Sequence, residues 1–292
     1  ATLPITSVRA SGSFINSAIA VLLPVMLVRA GFDNGEALSL FGIVTGMVMP
    51  ILFIPTTVIG SLSLVLVPEL SEDFYRRNFT RLRKNIERGI GFSFLIACFL
   101  LPLFFAVGED LGRLAFSNPK AGEMIVKSCF LLLPMSLTMI STSILNSIGF
   151  EKQTFNFYFI GAGAMLLCVL FLPALFGIYA YIIGMGISFA ITSACNLFFL
   201  HKQCPFFEKR WHHVCVHTIF PILLTILPTS LLGKLFNLLL SSVCGEVISM
   251  FVSSVLTALL LFISYVLIGI LPSPFKKVKK TERKNGFLPF RP

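Results

Sequence analysis

Runs of 18 or more residues without one charged side chain recur along this 292-residue chain, and they limit its fold more than any other feature. A helix rises about 1.5 Å per residue, so each run is long enough to cross a hydrocarbon core of roughly 30 Å. Eight spans are predicted, at about 5 to 28, 38 to 67, 90 to 107, 125 to 148, 156 to 174, 180 to 200, 214 to 232 and 247 to 271. A soluble core is excluded. With 56% hydrophobic residues, 12% charged residues and a mean hydropathy of +0.90, a water-exposed domain would present large apolar patches. The expected class is therefore all-α integral membrane.

The 23 basic residues outnumber the 13 acidic ones, but they lie in the connections between apolar runs rather than gathered as a nucleic-acid footprint. Placing Ala1 inside puts 18 Lys and Arg on the inner side and five on the other, namely Arg29, Arg113, Lys120, Lys127 and Lys234. That asymmetry predicts both ends in the cytoplasm and contact of the basic loops with anionic lipid. Between the second and third spans, Tyr75, Phe79, Leu82 and Ile86 step by four, three and four, with Arg77, Arg81, Lys84 and Arg88 on the other face. The spacing predicts an amphipathic helix over 69–88 lying along the inner membrane surface. Residues 272–292 form a basic tail.

Seven cysteines, an odd number with no C-x-x-C pair, mostly sit inside apolar runs and read as small packing residues. Cys204, His212, His213, Cys215 and His217 crowd one boundary without the spacing of a tetrahedral zinc site, so no metal or other cofactor is expected. No nucleophile elbow, phosphate-binding loop, dinucleotide fingerprint, zincin helix or intramembrane acid pair occurs, and an enzyme is not expected. No loop exceeds roughly two dozen residues, which leaves no room for a catalytic domain outside the bundle. The chain also enters its first span with neither an initiator Met nor a cationic leader, so a preceding portion of a longer reading frame is expected.

The candidate site residues lie on the first two spans. Arg9 stands near the inner end of the first and Arg29 at its outer end, with Asn16 between. A guanidinium donates paired hydrogen bonds to phosphate oxygens, although the bland reading of each is anchoring. Thr45, Thr56, Thr57, Ser61 and Ser63 follow on the second span, where they would line a wet cavity or bond to neighbouring helices. Pro50 and Pro55 predict a kinked or broken helix there. Asn146 and Asn196, near inner ends, read as interfacial or capping residues.

Several segments resemble one family. The run from Leu38 to Glu72 is similar to the long helix of polysaccharide and lipid-linked oligosaccharide flippases, which closes on a Pro-x-Leu-Ser turn, here Pro68, Glu69, Leu70 and Ser71. The stretch from Leu3 to Ser17 resembles the opening of the second half of the stage V sporulation protein B family, as do Leu111 to Glu123 and Leu131 to Gln153. These flippases belong to the multidrug/oligosaccharidyl-lipid/polysaccharide exporter superfamily and are related to the lipid II flippases. The resemblance implies two pseudo-symmetric lobes of twelve to fourteen spans rocking about a central cavity, of which eight spans would be the carboxy-terminal portion. The amino-terminal lobe, or a partner chain in its place, would complete the cavity.

What the resemblance implies is a flippase of the bacterial inner membrane, moving a lipid-linked cell-wall saccharide precursor in spore cortex or peptidoglycan synthesis. The pyrophosphate would meet Arg9 and Arg29, and the prenyl tail would stay in lipid, since each methylene moved into water costs about 0.8 kcal/mol. A drug or cation exporter of the same superfamily would need an acidic cavity, and the span centres carry no acid. A membrane glycosyltransferase would have to draw on Glu69, Glu72 and Asp73, and a non-transporting scaffold on the basic run Lys276 to Lys284.

Overall fold

A computed structural model describes the backbone of residues 2–204 and the side chains of 12–204; beyond these it describes only positions 231, 235, 248, 252 and 255–260. Every regular element among the described residues is helical. α1 (Thr2–Arg29) leads by a short turn into α2 (Asn34–Ile43), which runs through a π turn at Val44–Val48 into α3 (Met49–Tyr75). α4 (Phe79–Phe116) returns, and α5 (Pro119–Ser128) joins α6 (Leu132–Ser147) through a 3-10 turn at Cys129–Leu131. α7 (Glu151–Phe171), the short α8 (Pro173–Phe176) and α9 (Tyr179–Gln203) complete the described bundle.

Six stretches are long and apolar enough to cross a membrane, and each coincides with one of the first six predicted spans. Length and composition thus define a multi-pass membrane protein. The seventh and eighth predicted spans, and the basic tail, lie outside the described residues apart from those few positions.

Local chemistry sets the boundaries. Asp33 Oδ2 accepts from the Gly35 N–H at 3.0 Å and starts α2, while Asn118 Oδ1 accepts from the N–H groups of Lys120 and Ala121 and starts α5. The kink expected near Pro50 and Pro55 takes the form of the π turn just before Met49. Pro50 lacks the N–H that would bond back into the preceding turn, and the helix widens there instead.

The segment 69–88 does not form one amphipathic helix. Its first part continues α3 to Tyr75, and the chain reverses at Arg77, whose φ of +57° lies in the left-handed region. Asn78 Oδ1 then accepts from the Arg81 N–H, and α4 begins as the second arm of a helical hairpin. Leu82 and Ile86 are buried in a cluster with Ile59, Ile140, Leu145 and Leu200, so protein covers the face expected to lie on the membrane. The step from Tyr75 to Phe79 spans the reversal, and Tyr75 is 76% exposed.

α6 is the central helix, packing on α9, α3 and α4, while α7 and α9 form the most extensive pair. Small residues let the axes approach: a Cβ added to Gly112 of α4 would stand 2.2 Å from the Gly122 nitrogen of α5, and one on Gly161 of α7 2.3 Å from Thr192 Oγ1 of α9. A second apolar cluster, around Leu23, Leu27, Val44, Leu52, Ile125 and Leu132, fills the other end of the bundle. Four of the cysteines, Cys98, Cys129, Cys168 and Cys204, are buried thiols, in line with a packing role.

Candidate functional site

Burial is uneven across the spans. The window Gly12–Arg29 of α1 is 17% buried, against 56% for the stretch Pro119–Ser147. α1 packs on α7, α2 and α8 rather than along α3, so α1 and α3 leave faces that the other does not cover.

Polarity marks the same two helices. On α1, Ser13, Asn16 and Ser17 are exposed, and on α3 Thr57 and Ser61 are exposed. Gly42 and Gly46 add exposed backbone in α2 and the π turn, with open space where a Cβ would stand. The exposed positions in the body of α4, α7 and α9 are mostly apolar, such as Phe92, Phe105, Ile160, Leu167, Phe198 and Ala194, with Asn156 of α7 as an exception; α1 and α3 also expose apolar residues, Phe14, Val21, Ile54, Val58 and Leu64 among them. Lipid tails favour the apolar set; in the polar one, Ser17, Thr57 and Ser61 reduce the cost of exposure by donating to the carbonyls of Ser13, Ile54 and Thr57, whereas Asn16 exposes a whole amide.

Among the described side chains, Asn16, Arg29, Thr45, Thr56 and Ser61 do not converge. Thr56 is buried and its Oγ1 donates to the Phe53 carbonyl at 2.6 Å. Thr45, in the π turn, donates to Phe41 O at 2.7 Å, and Ser61 to Thr57 O at 3.0 Å. These hydroxyls are satisfied within their own helix, the usual economy of Ser and Thr in apolar surroundings. Asn16 points outward from α1, and Arg29 is exposed in its last turn, where a cation faces the negative end of the helix dipole. The Arg9 side chain lies outside the described residues. Because Arg9 and Arg29 belong to one unbroken helix, they stand about 30 Å apart at about 1.5 Å per residue, too far to hold one pyrophosphate together. They stand toward the two ends of α1, as their places in the sequence imply.

Asn196 and Asp73 depart from the surface positions that the sequence predicts for them. Asn196 is no interfacial cap: it is fully buried, and its amide donates to Ser141 Oγ at 3.1 Å and Thr142 Oγ1 at 2.9 Å on α6. Asn146 is exposed and its Oδ1 accepts from Thr154 Oγ1 at 2.7 Å. Of the carboxylates at the hairpin, Glu72 pairs with Arg76, whereas Asp73 is buried against Asn85 and Arg81. The histidines near residue 212 lie outside the described residues. Among those described, no three His, Cys, Asp or Glu side chains gather as metal ligands.

Set against known proteins, the chain matches no family model, no curated sequence and no solved structure.

Proposed function

We propose that this chain is one lobe of a flippase-type transporter that moves a lipid-linked cell-wall saccharide precursor across the bacterial cytoplasmic membrane. The observation that carries the reading is the gathering of exposed Ser, Thr and Asn side chains on α1 and α3, where Ser13, Asn16, Ser17, Thr57 and Ser61 stand, against Asn156 near the start of α7. With its hydroxyl donors bonded back into their own helices, such a face tolerates lipid, but the exposed Asn16 amide and the hydroxyl oxygens still able to accept match it better to a wet pathway closed on its far side by a second lobe or partner chain. Saccharide hydroxyls would exchange hydrogen bonds with Asn16, Thr57 and Ser61, the prenyl chain would remain in lipid, and Arg9 and Arg29 would receive the pyrophosphate in turn at the two ends of the path. The distribution of basic residues supports an orientation with both ends of this chain inside.

The test has two parts, both on the natural full-length protein in native membranes or proteoliposomes. Single cysteines at positions 16, 57 and 61 should react with a membrane-impermeant maleimide, while cysteines at 160 and 167 stay unlabelled. Reconstituted protein should then translocate a fluorescent undecaprenyl-linked saccharide, with Arg29→Ala slowing it by about tenfold, the scale of one lost charge-assisted contact. Equal labelling of both sets, or no translocation by protein that labels as expected, would sink the flippase reading. In the second case, transport of a small cation in the same liposomes would favour an exporter.

A further inference from the structure

At the end of the bundle away from the α3–α4 hairpin, a cleft of about 600 Å³ opens between the α1–α2 turn, the start of α5 and the α8–α9 turn. Apolar side chains of Leu40, Met124 and Phe176 line it together with three charged ones, Glu36, Lys120 and Glu123.

One wall is already built. Glu123 pairs with Lys127, which also donates to the Tyr179 hydroxyl at 3.1 Å and lies 4.8 Å from the centre of that ring. Glu36 and Lys120 differ: their charged groups form no ion pair among the described residues, although both line the same cleft. Opposite charges held in one cleft without touching suit a ligand that brings both signs itself. The apolar surface continues outward through Leu175, 80% exposed, and Phe176, 51% exposed, toward Phe171 at the end of α7, 70% exposed. A ligand seated here would therefore have a polar, doubly charged head and an apolar tail.

We propose that this cleft binds a zwitterionic phospholipid of the ethanolamine type. The phosphate meets Lys120, the ammonium meets Glu36, and an acyl chain follows Leu175 and Phe176. An ethanolamine head fits better than choline because its ammonium donates hydrogen bonds to a carboxylate, whereas a quaternary nitrogen has no N–H. Choline heads favour open aromatic faces, and the Tyr179 ring is already covered by Lys127. A glycerol head would leave Glu36 facing a net negative lipid with no cation to offset it. The site rests on the chain being membrane-embedded and not on flipping.

The experiment is native mass spectrometry of the full-length protein titrated with dioleoyl phosphatidylethanolamine, phosphatidylcholine and phosphatidylglycerol. The ethanolamine lipid should bind about fivefold more tightly than either of the others. Glu36→Gln and Lys120→Gln should each reduce that preference below about twofold, and the exchange Glu36→Lys with Lys120→Glu should restore it, because both signs remain. Both positions are exposed, and an unchanged thermal midpoint in each variant confirms folding. Equal binding of the three lipids, or single variants that keep the preference, would overturn the site. So would equal competition by soluble glycerophosphoethanolamine, which would leave nothing for the apolar track to do. Flipping is read separately: translocation that survives loss of the lipid preference leaves the flippase reading standing, and failed translocation with the preference intact leaves this site standing.

Discussion

Across the α3–α4 hairpin the Asn85 amide donates to Asp73 Oδ2 at 3.0 Å, and each residue is only 4% exposed. The same amide reaches Glu69 Oε2 at 3.4 Å, and Arg81 stands 3.6 Å from the other oxygen of Asp73. Arg81 is largely solvated, so the buried amide is the main partner that keeps Asp73 satisfied where water does not reach it. The expected consequence is asymmetric. Asn85→Leu should lower the thermal midpoint by an amount corresponding to about 1–3 kcal/mol, because it leaves a buried carboxylate without its amide. The pair Asn85→Leu with Asp73→Leu should recover part of that loss. If Asn85→Leu shifts the midpoint no more than the exposed Lys84→Ala does, the hairpin is held by its apolar contacts alone.

The closest approach between helices makes a sharper demand. A methyl group on Gly112 would overlap the backbone of Gly122, which has no side chain to move aside. Gly112→Ala should therefore push α5 from α4 and destabilise by about 1–3 kcal/mol, the cost of overpacking a tight contact. Gly163→Ala, with open space around its Cβ, should be neutral or slightly stabilising, since alanine is the better helix former. Thermal unfolding of the two variants in one detergent decides the matter, and equal midpoints would refute the packing account.

How far the sequence disclosed this structure depends on the physical signal at each point. The first six spans were legible because a charge-free run is a length measurement, and lipid enforces helices within it. The break near Pro50 was legible in place but not in form, since a missing N–H says only that one bond is lost. The hairpin at Arg76–Asn78 was hidden by its own periodicity: Tyr75 and Phe79 are four apart in number yet lie on different helices. Asn78 three residues before Arg81 was the available capping signal. The site was least legible. Nothing in the residue type separates the buried Thr56 from the exposed Thr57, whose hydroxyls both bond back into their own helix. That distinction depends on which face the neighbouring helices cover.

Cys204 provides a chemical test of packing at the end of α9. Burial pushes its thiol from an ordinary 9.0 up to about 11, with nearby Arg83 lowering it and Glu87 raising it by smaller amounts. Alkylation proceeds through the thiolate, so in a variant retaining only this cysteine labelling at pH 8 should be slow and should climb steeply toward pH 11. The linkage has a definite sign. A thiol with a raised folded value loses stability as pH rises above its unfolded value, because the unfolded chain releases the proton first. Unfolding should therefore become easier between about pH 9 and 11 and be insensitive to this group below that window. Fast labelling at pH 8 would mean that the end of α9 is open.

The last prediction concerns Asn196, whose amide nitrogen joins α9 to Ser141 and Thr142 of α6 while its Oδ1 has no partner in the described structure. Bridging hydrogen bonds of this kind inside a membrane protein contribute about 0.6–2 kcal/mol, less than their apolar setting suggests, because the unfolded helices find other partners. An unfilled acceptor subtracts from that gain. Asn196→Ala should thus cost about 1–2 kcal/mol through lost bonds and a small cavity. Asn196→Leu, which fills the space and removes the orphaned oxygen, should cost less even though it forfeits the same donors. Equilibrium unfolding of the two variants separates the terms. If Leu costs as much as Ala or more, the hydrogen bonds dominate at this junction; if Ala alone is harmful, packing between α6 and α9 sets its strength and the asparagine acts chiefly to fix the register of the two helices.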